Sequence, residues 1–524
     1  MDRRPRLAPP RGASGSARPE RSRLPARRPQ GGEASGVVTL SGMDRSGAAT
    51  AEVAGERLLV PGGIPGERVR LKRLRPAGRS VLCEITAVVE ASPNRVRPRC
   101  RHAGVCGGCA WQHIAYPEQL RRKSAALGSL LKKAMGEKAP RVLPAIGMAT
   151  GEDAMPWGFR QKAAFVFGES PRGLVMGHFA RGTHDVVPVE ECPVHAGRAN
   201  RVAFALRDAL AASGIAGGGA SSAGLVRHVV VRTTRDEKET VAMLVASRDE
   251  PSLAAPLRTV LDGHEPPDGL VLNLHDRPGP FLVGRESKRV GGPGHVKETG
   301  IGPAFLVSPA SFFQTNVAAA ATLVRLVLEA LPGERGLRVL DLYSGGGLFA
   351  LPAALRGHAV TAVEESRKSV RDAELNRKLA GQAASGLAIV PAPVERALGR
   401  FAPGAFDAVI LDPPREGCPP EVVTEVFSRL RPARGILVSC NPEALARELP
   451  LAAAAGYRVL RVQPVDMFPH TPHIEAVAVV ERRDGAGTAT GTGTAPFVRR
   501  PRPSSRSRTP GSRKPPARGR SRTA

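Results

Sequence analysis

Residues 337–347 read Leu337-Arg338-Val339-Leu340-Asp341-Leu342-Tyr343-Ser344-Gly345-Gly346-Gly347, a mostly apolar run followed by a glycine-rich turn. An apolar run bounded by turn residues predicts a buried strand, and the turn predicts a helix that begins at Leu348. A strand that leads through glycines into a helix is the first unit of a nucleotide-binding type of parallel sheet.

The same alternation of strand and helix continues along the chain. Further strands are predicted at 359–363, 387–390, 406–411 and before Cys440, and helices at 316–331, 366–379 and 420–430. Parallel strands that alternate with helices predict a doubly wound, Rossmann-like α/β domain over residues 331–482. The runs 459–465 and 474–480 would close its sheet as an antiparallel hairpin.

The glycine turn alone leaves the ligand open. Gly345, Gly347 and Ala350 satisfy the dinucleotide fingerprint, and the same turn suits S-adenosylmethionine equally well. Either ligand would use an acid at the end of the second strand, here Glu364, to hold its ribose hydroxyls.

A second stretch, Gly435-Ile436-Leu437-Val438-Ser439-Cys440-Asn441-Pro442, places a thiol at the end of a predicted buried strand. A lone cysteine there is most often a buried structural residue. Here, however, Asp412-Pro413-Pro414-Arg415 ends the preceding strand, and Glu475 follows in His470-Thr471-Pro472-His473-Ile474-Glu475. Hydride transfer has no need of such a thiol and carboxylate. Methylation of a pyrimidine at C5 needs both, because a thiolate must add to C6 and a base must remove the C5 proton.

Three of the seven cysteines lie close together as Cys100-x5-Cys106-Gly107-Gly108-Cys109, and Cys192 follows in Glu191-Cys192-Pro193. Four thiolates fit either tetrahedral zinc or an iron–sulfur cluster. The first step is longer than is usual in zinc knuckles, so the spacing favours a cluster. Seven cysteines in 524 residues do not make a disulfide scaffold, which indicates a reducing compartment.

The N-terminal half is predicted to be rich in strands. Short β-type runs at 36–90, separated by Pro/Gly turns, predict an OB-like barrel at 34–92, which either binds nucleic acid or has no ligand. Residues 93–330 are predicted as a β-rich central domain that carries the cysteines. An amphipathic helix is predicted in it from Tyr116 to Met135, with Lys123 on a solvated charged face.

The net charge of +28 favours a polyanionic partner, nucleic acid first and an anionic membrane second. Much of this charge lies in tails at 1–33 and 483–524, which are predicted to be disordered, and the remainder of the chain is still basic. No apolar run is long enough to span a membrane, and the start lacks an apolar signal region, so we expect a cytoplasmic protein.

The chain resembles the RNA 5-methyluridine methyltransferase family. The resemblance rests on Asp412-Pro413-Pro414-Arg415, Ser439-Cys440-Asn441-Pro442, residues 467–475 and Ser308-Pro309-Ala310-Ser311-Phe312-Phe313-Gln314-Thr315-Asn316, which occur in the family's order. It extends from about residue 34 to 482. The barrel resembles the family's TRAM domain, and the four cysteines match the ligands of its [4Fe-4S] cluster. Both features are similar to the 23S ribosomal RNA branch.

The resemblance implies roles for particular residues. Cys440 would be the nucleophile and Glu475 the general base. The S-adenosylmethionine contacts would be Gln314, Tyr343, Glu364 and Asp412, and the cluster ligands would be Cys100, Cys106, Cys109 and Cys192. Phe312 would lie near the flipped uracil, and residues 158–162 would line the RNA side. Leu348 and Pro393 depart from the family pattern, because each replaces a polar residue that contacts the cofactor in some members.

We therefore expect a monomeric, S-adenosylmethionine-dependent enzyme that forms 5-methyluridine in RNA, with 23S ribosomal RNA as the leading substrate. A transfer RNA uridine methyltransferase with the same chemistry is the nearest alternative. A non-catalytic RNA-binding or ribosome assembly factor on the same fold is the alternative from another class. DNA cytosine methylation is disfavoured, because the barrel and the cluster indicate RNA.

Overall fold

A computed structural model describes residues 36–148, 155–218, 224–276 and 282–483. The tails predicted at 1–33 and 483–524 lie outside these ranges, apart from Arg483, as does most of a Gly/Ser/Ala insert at 217–223. Among the described residues, no helix is long and apolar enough to cross a bilayer.

Residues 38–90 form the first sheet. Its six strands are β1 Val38–Thr39, β2 Gly42–Met43, β3 Ala49–Val53, β4 Glu56–Val60, β5 Arg68–Ala77 and β6 Ser80–Glu90, in the order β1-β5-β6-β4-β3-β2. In β5, Arg68, Arg70 and Lys72 alternate with the buried Val69 and Leu71, because successive side chains of a strand point to opposite faces. The sheet therefore has an apolar face that packs into a small core and a basic face toward solvent.

The second sheet is built from the middle of the chain and is mostly antiparallel. Its seven strands are β7 Lys162–Ser170, β8 Gly173–Phe179, β9 Val186–Pro188, β10 Val226–Thr233, β11 Thr240–Ala246, β12 Gly269–Leu274 and β13 Glu286–Gly291. Their order is β13-β12-β11-β10-β7-β8-β9, with β11 and β12 parallel.

The central region, predicted to be β-rich with the helix at 116–135, contains further helices. Helix α1, Tyr116–Met135, has the predicted bounds, but α2, Gly197–Ala212, and α3, Ala254–Leu261, were not predicted. Helix α2 packs its apolar side, which includes Val202 and Leu206, against the second sheet. This part of the molecule is therefore α/β.

The third sheet is the predicted doubly wound one. After a short hairpin, its strands and helices alternate along the chain. The hairpin is a separate two-stranded sheet of β14 Val296–Glu298 and β15 Phe305–Val307. The strands of the third sheet are β16 Arg338–Leu342, β17 Ala359–Glu364, β18 Leu387–Pro391, β19 Ala408–Leu411, β20 Arg434–Ser439, β21 Tyr457–Val465 and β22 Glu475–Arg482. The helices are α4 Val317–Ala330, α5 Ala350–Leu355, α6 Arg367–Ala380, α7 Val394–Leu398, α8 Pro420–Thr424 and α9 Pro442–Ala454.

The strand order is β18-β17-β16-β19-β20-β22-β21, with β16 to β20 parallel and β22 antiparallel to both β20 and β21. Apolar side chains pack on both faces, with α4 and α5 on one side and α7, α8 and α9 on the other. The α/β architecture with a terminal antiparallel hairpin is therefore confirmed.

Two predicted helices differ in detail. Helix α5 begins at Ala350 rather than Leu348, because turns occupy residues 345–349. The predicted helix at 420–430 is α only as far as Thr424. It continues as a π-helix, Glu425–Leu430, and ends at Arg431 with a left-handed φ of 51°.

Candidate active site

Four predicted site residues lie at one edge of the third sheet. Because β16, β17, β19 and β20 are parallel, their carboxyl ends meet at this edge, where α/β sheets hold their ligands. The residues at these ends are Tyr343, Glu364, Asp412 and Cys440. The fold thus assembles this predicted set from positions almost 100 residues apart in the sequence.

Glu475, the first residue of β22, lies across from Cys440. The antiparallel pairing of Ser439 with Ala476, continued by one residue, sets Cys440 opposite Glu475. Glu475 is only 2% exposed, and its Oε2 has no hydrogen-bond partner within the described part of the chain. Cys440 is half-buried. A thiol and a buried carboxyl therefore face the same space at the sheet edge.

Burial and mutual repulsion disfavour negative charge in this space. Burial, followed by the charge of Asp412, raises the pKa of Glu475 to about 8, and Arg415 opposes the shift. Burial, followed by Glu475 and Asp412, raises the pKa of Cys440 to about 11, again against Arg415. Burial also raises the pKa of Asp412 to about 7. A carboxyl that titrates near neutral pH is suited to act as a general base.

Helix α9 holds the loop that carries Arg415. Asn441 Nδ2 donates to the carbonyl of Arg415 at 2.8 Å, and the N–H of Cys418 donates to Glu448 Oε1 at 2.7 Å. Asn441 also caps α9, because its Oδ1 accepts from the N–H of Glu443. The backbone of Arg415 is therefore held near the acidic groups, and the charge of its exposed side chain favours their ionised forms.

The glycine turn and Glu364 form the candidate cofactor cradle. Gly345 donates its N–H to Glu364 Oε2 at 2.9 Å, and Ser366 donates to Oε1 at 2.7 Å. Gly345 and Gly347 have φ values of 56° and 90°, a left-handed backbone that glycine adopts without strain. Tyr343 shares this conformation with a φ of 61°, which is uncommon for a residue with a side chain and clusters at functional sites.

The segment with Gln314 is tied to the chain that leads to Glu475. Asn316 caps α4 and donates from Nδ2 to the carbonyl of Met467 at 3.1 Å. Gln314 itself is 8% exposed, and its carbonyl accepts from Arg232 Nη1 at 3.5 Å. Phe312, by contrast, is 79% exposed. The structure places Gln314 near the base-bearing segment, while its contact with a cofactor stays a prediction.

A polar side of α1 braces the segment before Glu475, and it corrects one prediction. Lys123 is not solvated: both it and Asp466 are fully buried, and Nζ donates to Asp466 Oδ1 at 2.6 Å and to the carbonyl of Phe468 at 3.0 Å. Gln119 Oε1 accepts from the N–H of His470 at 2.8 Å, and His470 has a left-handed φ of 64°. Helix α1 therefore fixes the backbone that leads into β22.

The four predicted cluster ligands line one cavity of about 340 Å³, which Arg160, His178 and His195 also line. Burial raises the pKa of Cys109 to about 11 and that of Cys192 to about 12. The fold therefore brings together thiols from before α1 and from just before α2.

Comparisons with known proteins assign the chain. Residues 397–483 match the family model described as tRNA (Uracil-5-)-methyltransferase. An uncharacterized RNA methyltransferase of Caldanaerobacter subterraneus is 32% identical over 452 residues, which cover 85% of this chain and 97% of that protein. The 23S rRNA (uracil(1939)-C(5))-methyltransferase RlmD of Cronobacter sakazakii is 33% identical over 450 residues, or 85% and 96% of the two chains.

The chain belongs to the RNA uracil-C5 methyltransferase family. It is therefore an RNA methyltransferase. The solved structure of the Pyrococcus abyssi tRNA (uracil-54, C5)-methyltransferase in complex with S-adenosyl-L-homocysteine is similar over 85% of this chain and 99% of that one. The TM-score is 0.69 and the identity 26%.

The two departures from the family pattern lie beside the cradle. Leu348, which follows the glycine turn, is 9% exposed and packs into the core on the α4 and α5 side of the sheet. Pro393 precedes α7 and offers no side-chain donor. Neither position therefore offers a polar side chain to the cradle.

Sequence reasoning missed several polar residues of these sites. Lys123 looked like one charge among several on a helix surface, and Glu448 has no motif of its own. His178 and His195 lie outside the cysteine spacing pattern. Asp466 directly follows β21, and nothing in the sequence indicates that it pairs with Lys123 of α1.

Proposed function

We propose that this chain is an S-adenosylmethionine-dependent RNA methyltransferase that forms 5-methyluridine, with 23S ribosomal RNA as its substrate. The observation that carries the proposal is the pairing of Cys440 with the buried Glu475 across β20 and β22. A nucleophile and a base on opposite sides of one small space are the two groups that methylation of uracil at C5 requires.

In the proposed reaction, the Cys440 thiolate bonds to C6 of uracil, which makes C5 electron-rich. S-adenosylmethionine supplies the methyl group that C5 takes up. Glu475 then accepts the C5 proton, the C5–C6 double bond re-forms, and the C6–sulfur bond breaks to release the thiolate. The raised pKa of Glu475, about 8, suits a base that must take a proton near neutral pH.

The residues of the cradle fit the cofactor. Glu364 would accept hydrogen bonds from ribose hydroxyls, because its oxygens already lie at the end of β17 next to the glycine turn. Gln314, Tyr343 and Asp412 would complete the contacts. The bare backbone at Gly345, where an added Cβ would meet nothing within 4 Å, leaves room for a ligand.

The cysteine cavity fits a [4Fe-4S] cluster at Cys100, Cys106, Cys109 and Cys192. A single tetrahedral zinc with sulfurs at about 2.3 Å would bring all four within about 3.8 Å of one another. Among the described residues, only His178, Cys192 and His195 supply three ligand-type atoms within 4.8 Å of one another, so the four sulfurs are spread more widely. We propose a structural role for the cluster, which would tie the segment before α1 to the second sheet.

RNA would also bind to surfaces away from the active-site edge of the third sheet. We propose a TRAM-like barrel at 34–92, whose β5 carries the basic face, and a central iron–sulfur and RNA-binding domain at 93–330 before the methyltransferase domain at 331–482. Phe312, exposed beside the Gln314 segment, would stack near the flipped uracil. The tails would add phosphate contacts that are sensitive to salt.

A test compares methyl transfer to unmodified 23S ribosomal RNA and to unmodified transfer RNA. We expect transfer to 23S ribosomal RNA by the wild type and none by Cys440→Ala, with RNA binding retained in the variant. Transfer to transfer RNA alone would instead support the second candidate, which the similarity to the Pyrococcus abyssi enzyme favours. Binding of RNA without methyl transfer to either would leave only the assembly-factor alternative.

A further inference from the structure

The cysteine cavity contains two histidines that the cluster ligand set does not use. His178 lies in β8 and His195 lies just before α2, and both line the cavity with Cys192. One ring nitrogen of each histidine and the sulfur of Cys192 all lie within 4.8 Å of one another. Three donor atoms, one from β8 and two from the loop before α2, therefore lie close together.

Neither histidine is satisfied by the surrounding protein. His195 is 5% exposed, and its Nδ1 is buried without a hydrogen-bond partner in the described part of the chain. His178 Nε2 is likewise buried without a hydrogen-bond partner among the described residues. Both rings pack against Phe165, with centroids 4.9 and 5.0 Å away, and an apolar side chain would pack there equally well. A buried polar atom left unpaired costs about 1–3 kcal/mol, so these nitrogens point to a bound ligand.

The donor chemistry is that of a zinc-class cation. One thiolate and two imidazoles are common zinc ligands, and tetrahedral zinc takes a fourth. Cys109 lines the same cavity but lies outside the 4.8 Å group, so it would have to move toward the other three donors to complete the set. Arg160 also lines the cavity, and its charge interacts with both thiols. Two thiolates would neutralise a divalent cation beside that guanidinium, whereas one would leave a net positive charge there.

We propose that His178, His195, Cys192 and Cys109 form a second ligand set that binds one zinc-class divalent cation when the four-cysteine cluster is not in place. Binding forms two metal–sulfur and two metal–nitrogen bonds, and the two thiols lose their protons to solvent without any change of oxidation state. The sets share Cys109 and Cys192, so cation and cluster exclude one another. Cys100 and Cys106 belong only to the cluster set, and the two histidines only to the cation set.

The separate members of the two sets make the proposal testable. The full chain is purified in air, stripped of iron with a chelator and titrated with Co²⁺ as a spectroscopic probe, and Zn²⁺ then competes for the site. We expect one Co²⁺ per chain with the visible spectrum of a tetrahedral thiolate site. Cys100→Ser should bind Co²⁺ as the wild type does. His178→Phe and His195→Phe should each weaken binding by roughly tenfold or more, and Cys192→Ser, which leaves one thiolate, should lower the thiolate band by about half or more.

A matched control is His184→Phe, because His184 is exposed near the cavity and belongs to neither set. In anaerobic preparations, iron and sulfide content should fall in Cys100→Ser and persist in both histidine variants. Circular dichroism checks folding, and if His195→Phe does not fold, the partly exposed His178 decides the outcome.

The proposal is overturned if the chain binds no Co²⁺, if both histidine variants bind it as tightly as the wild type, or if Cys100→Ser loses it to the same degree as the histidine variants. These readouts do not involve methyl transfer. Failure of the proposed RNA chemistry would therefore leave the cation site standing, and the reverse also holds.

Discussion

Cys440 and Cys192 are both thiols whose pKa values burial raises, to about 11 and about 12, but their neighbours differ. Cys440 faces Glu475 and Asp412, with Arg415 as the opposing charge. Cys192 lies beside Arg160, other thiols and two imidazoles. The difference indicates that buried thiols take their role from the groups around them. In the roles proposed here, a carboxyl beside Cys440 takes a proton from the substrate, whereas nitrogen and sulfur donors beside Cys192 bind a metal.

The largest effect is expected at Glu475, where a substitution should change catalysis but leave the cysteine cavity unaffected. Glu475→Gln removes the base but keeps the size of the side chain, so turnover, measured as release of methylated RNA, should fall by about 10² to 10⁴-fold. The covalent adduct between Cys440 and RNA should accumulate, because its breakdown requires loss of the C5 proton. Denaturing gels with labelled RNA measure this, and the iron content of the cavity should not change. Free methylated product at the wild-type rate would refute the role of Glu475.

The next largest effect is expected at the buried pair of Lys123 and Asp466. Lys123→Met leaves Asp466 buried and unpaired, which should lower the free energy of unfolding by about 3–5 kcal/mol. Lys132→Met, on the exposed part of the same helix, is the matched control and should change it by no more than about 0.5 kcal/mol. Denaturant unfolding compares them. Equal stability of the two variants would show that the buried pair does not fix the segment before Glu475.

A smaller effect is expected at Phe312, in the proposed RNA-binding surface beside the active site. Phe312→Ala should weaken RNA binding by about 1–3 kcal/mol, the usual loss of one base-stacking contact. Because Phe312 is 79% exposed, the thermal unfolding midpoint should stay unchanged. Binding assays at fixed salt concentration provide the measurement. Unaltered RNA affinity together with an unaltered KM for RNA would remove Phe312 from the substrate site.

The pH dependence of turnover tests the raised pKa of Glu475. Burial raises the pKa of Glu475 to about 8, so its basic form is scarce at low pH and increases as pH rises toward 8. Turnover should therefore increase by at least about tenfold per pH unit between pH 6 and 7.5, because the thiolate form of Cys440, whose pKa is about 11, also increases over this range. The residual activity of Glu475→Gln should lack the rise that this carboxyl causes. Wild-type activity that declines over that range would contradict a base with a raised pKa.

The sequence predicted the parts that follow local rules. Apolar runs, glycine turns and the Asn316 cap specify the strands and helices of the third sheet, and the family motifs predicted which residues meet at its edge. Helix α2 was missed although Val202 and Leu206 have helical spacing and its alanines favour a helix. Lys123 and the two histidines were missed for another reason. Their roles depend on partners more than 300 residues away or on a cavity, and neither leaves a periodic signal.

Trapping with 5-fluorouridine-substituted RNA tests the central chemical claim most directly. Fluorine at C5 cannot be removed as a proton, so the adduct with C6 should not break down. Mass spectrometry of the wild-type protein with S-adenosylmethionine should then find methylated RNA attached to Cys440, and Cys440→Ala should give no attachment. A protein that methylates normal RNA but forms no bond at Cys440 with the fluorinated substrate would contradict this account.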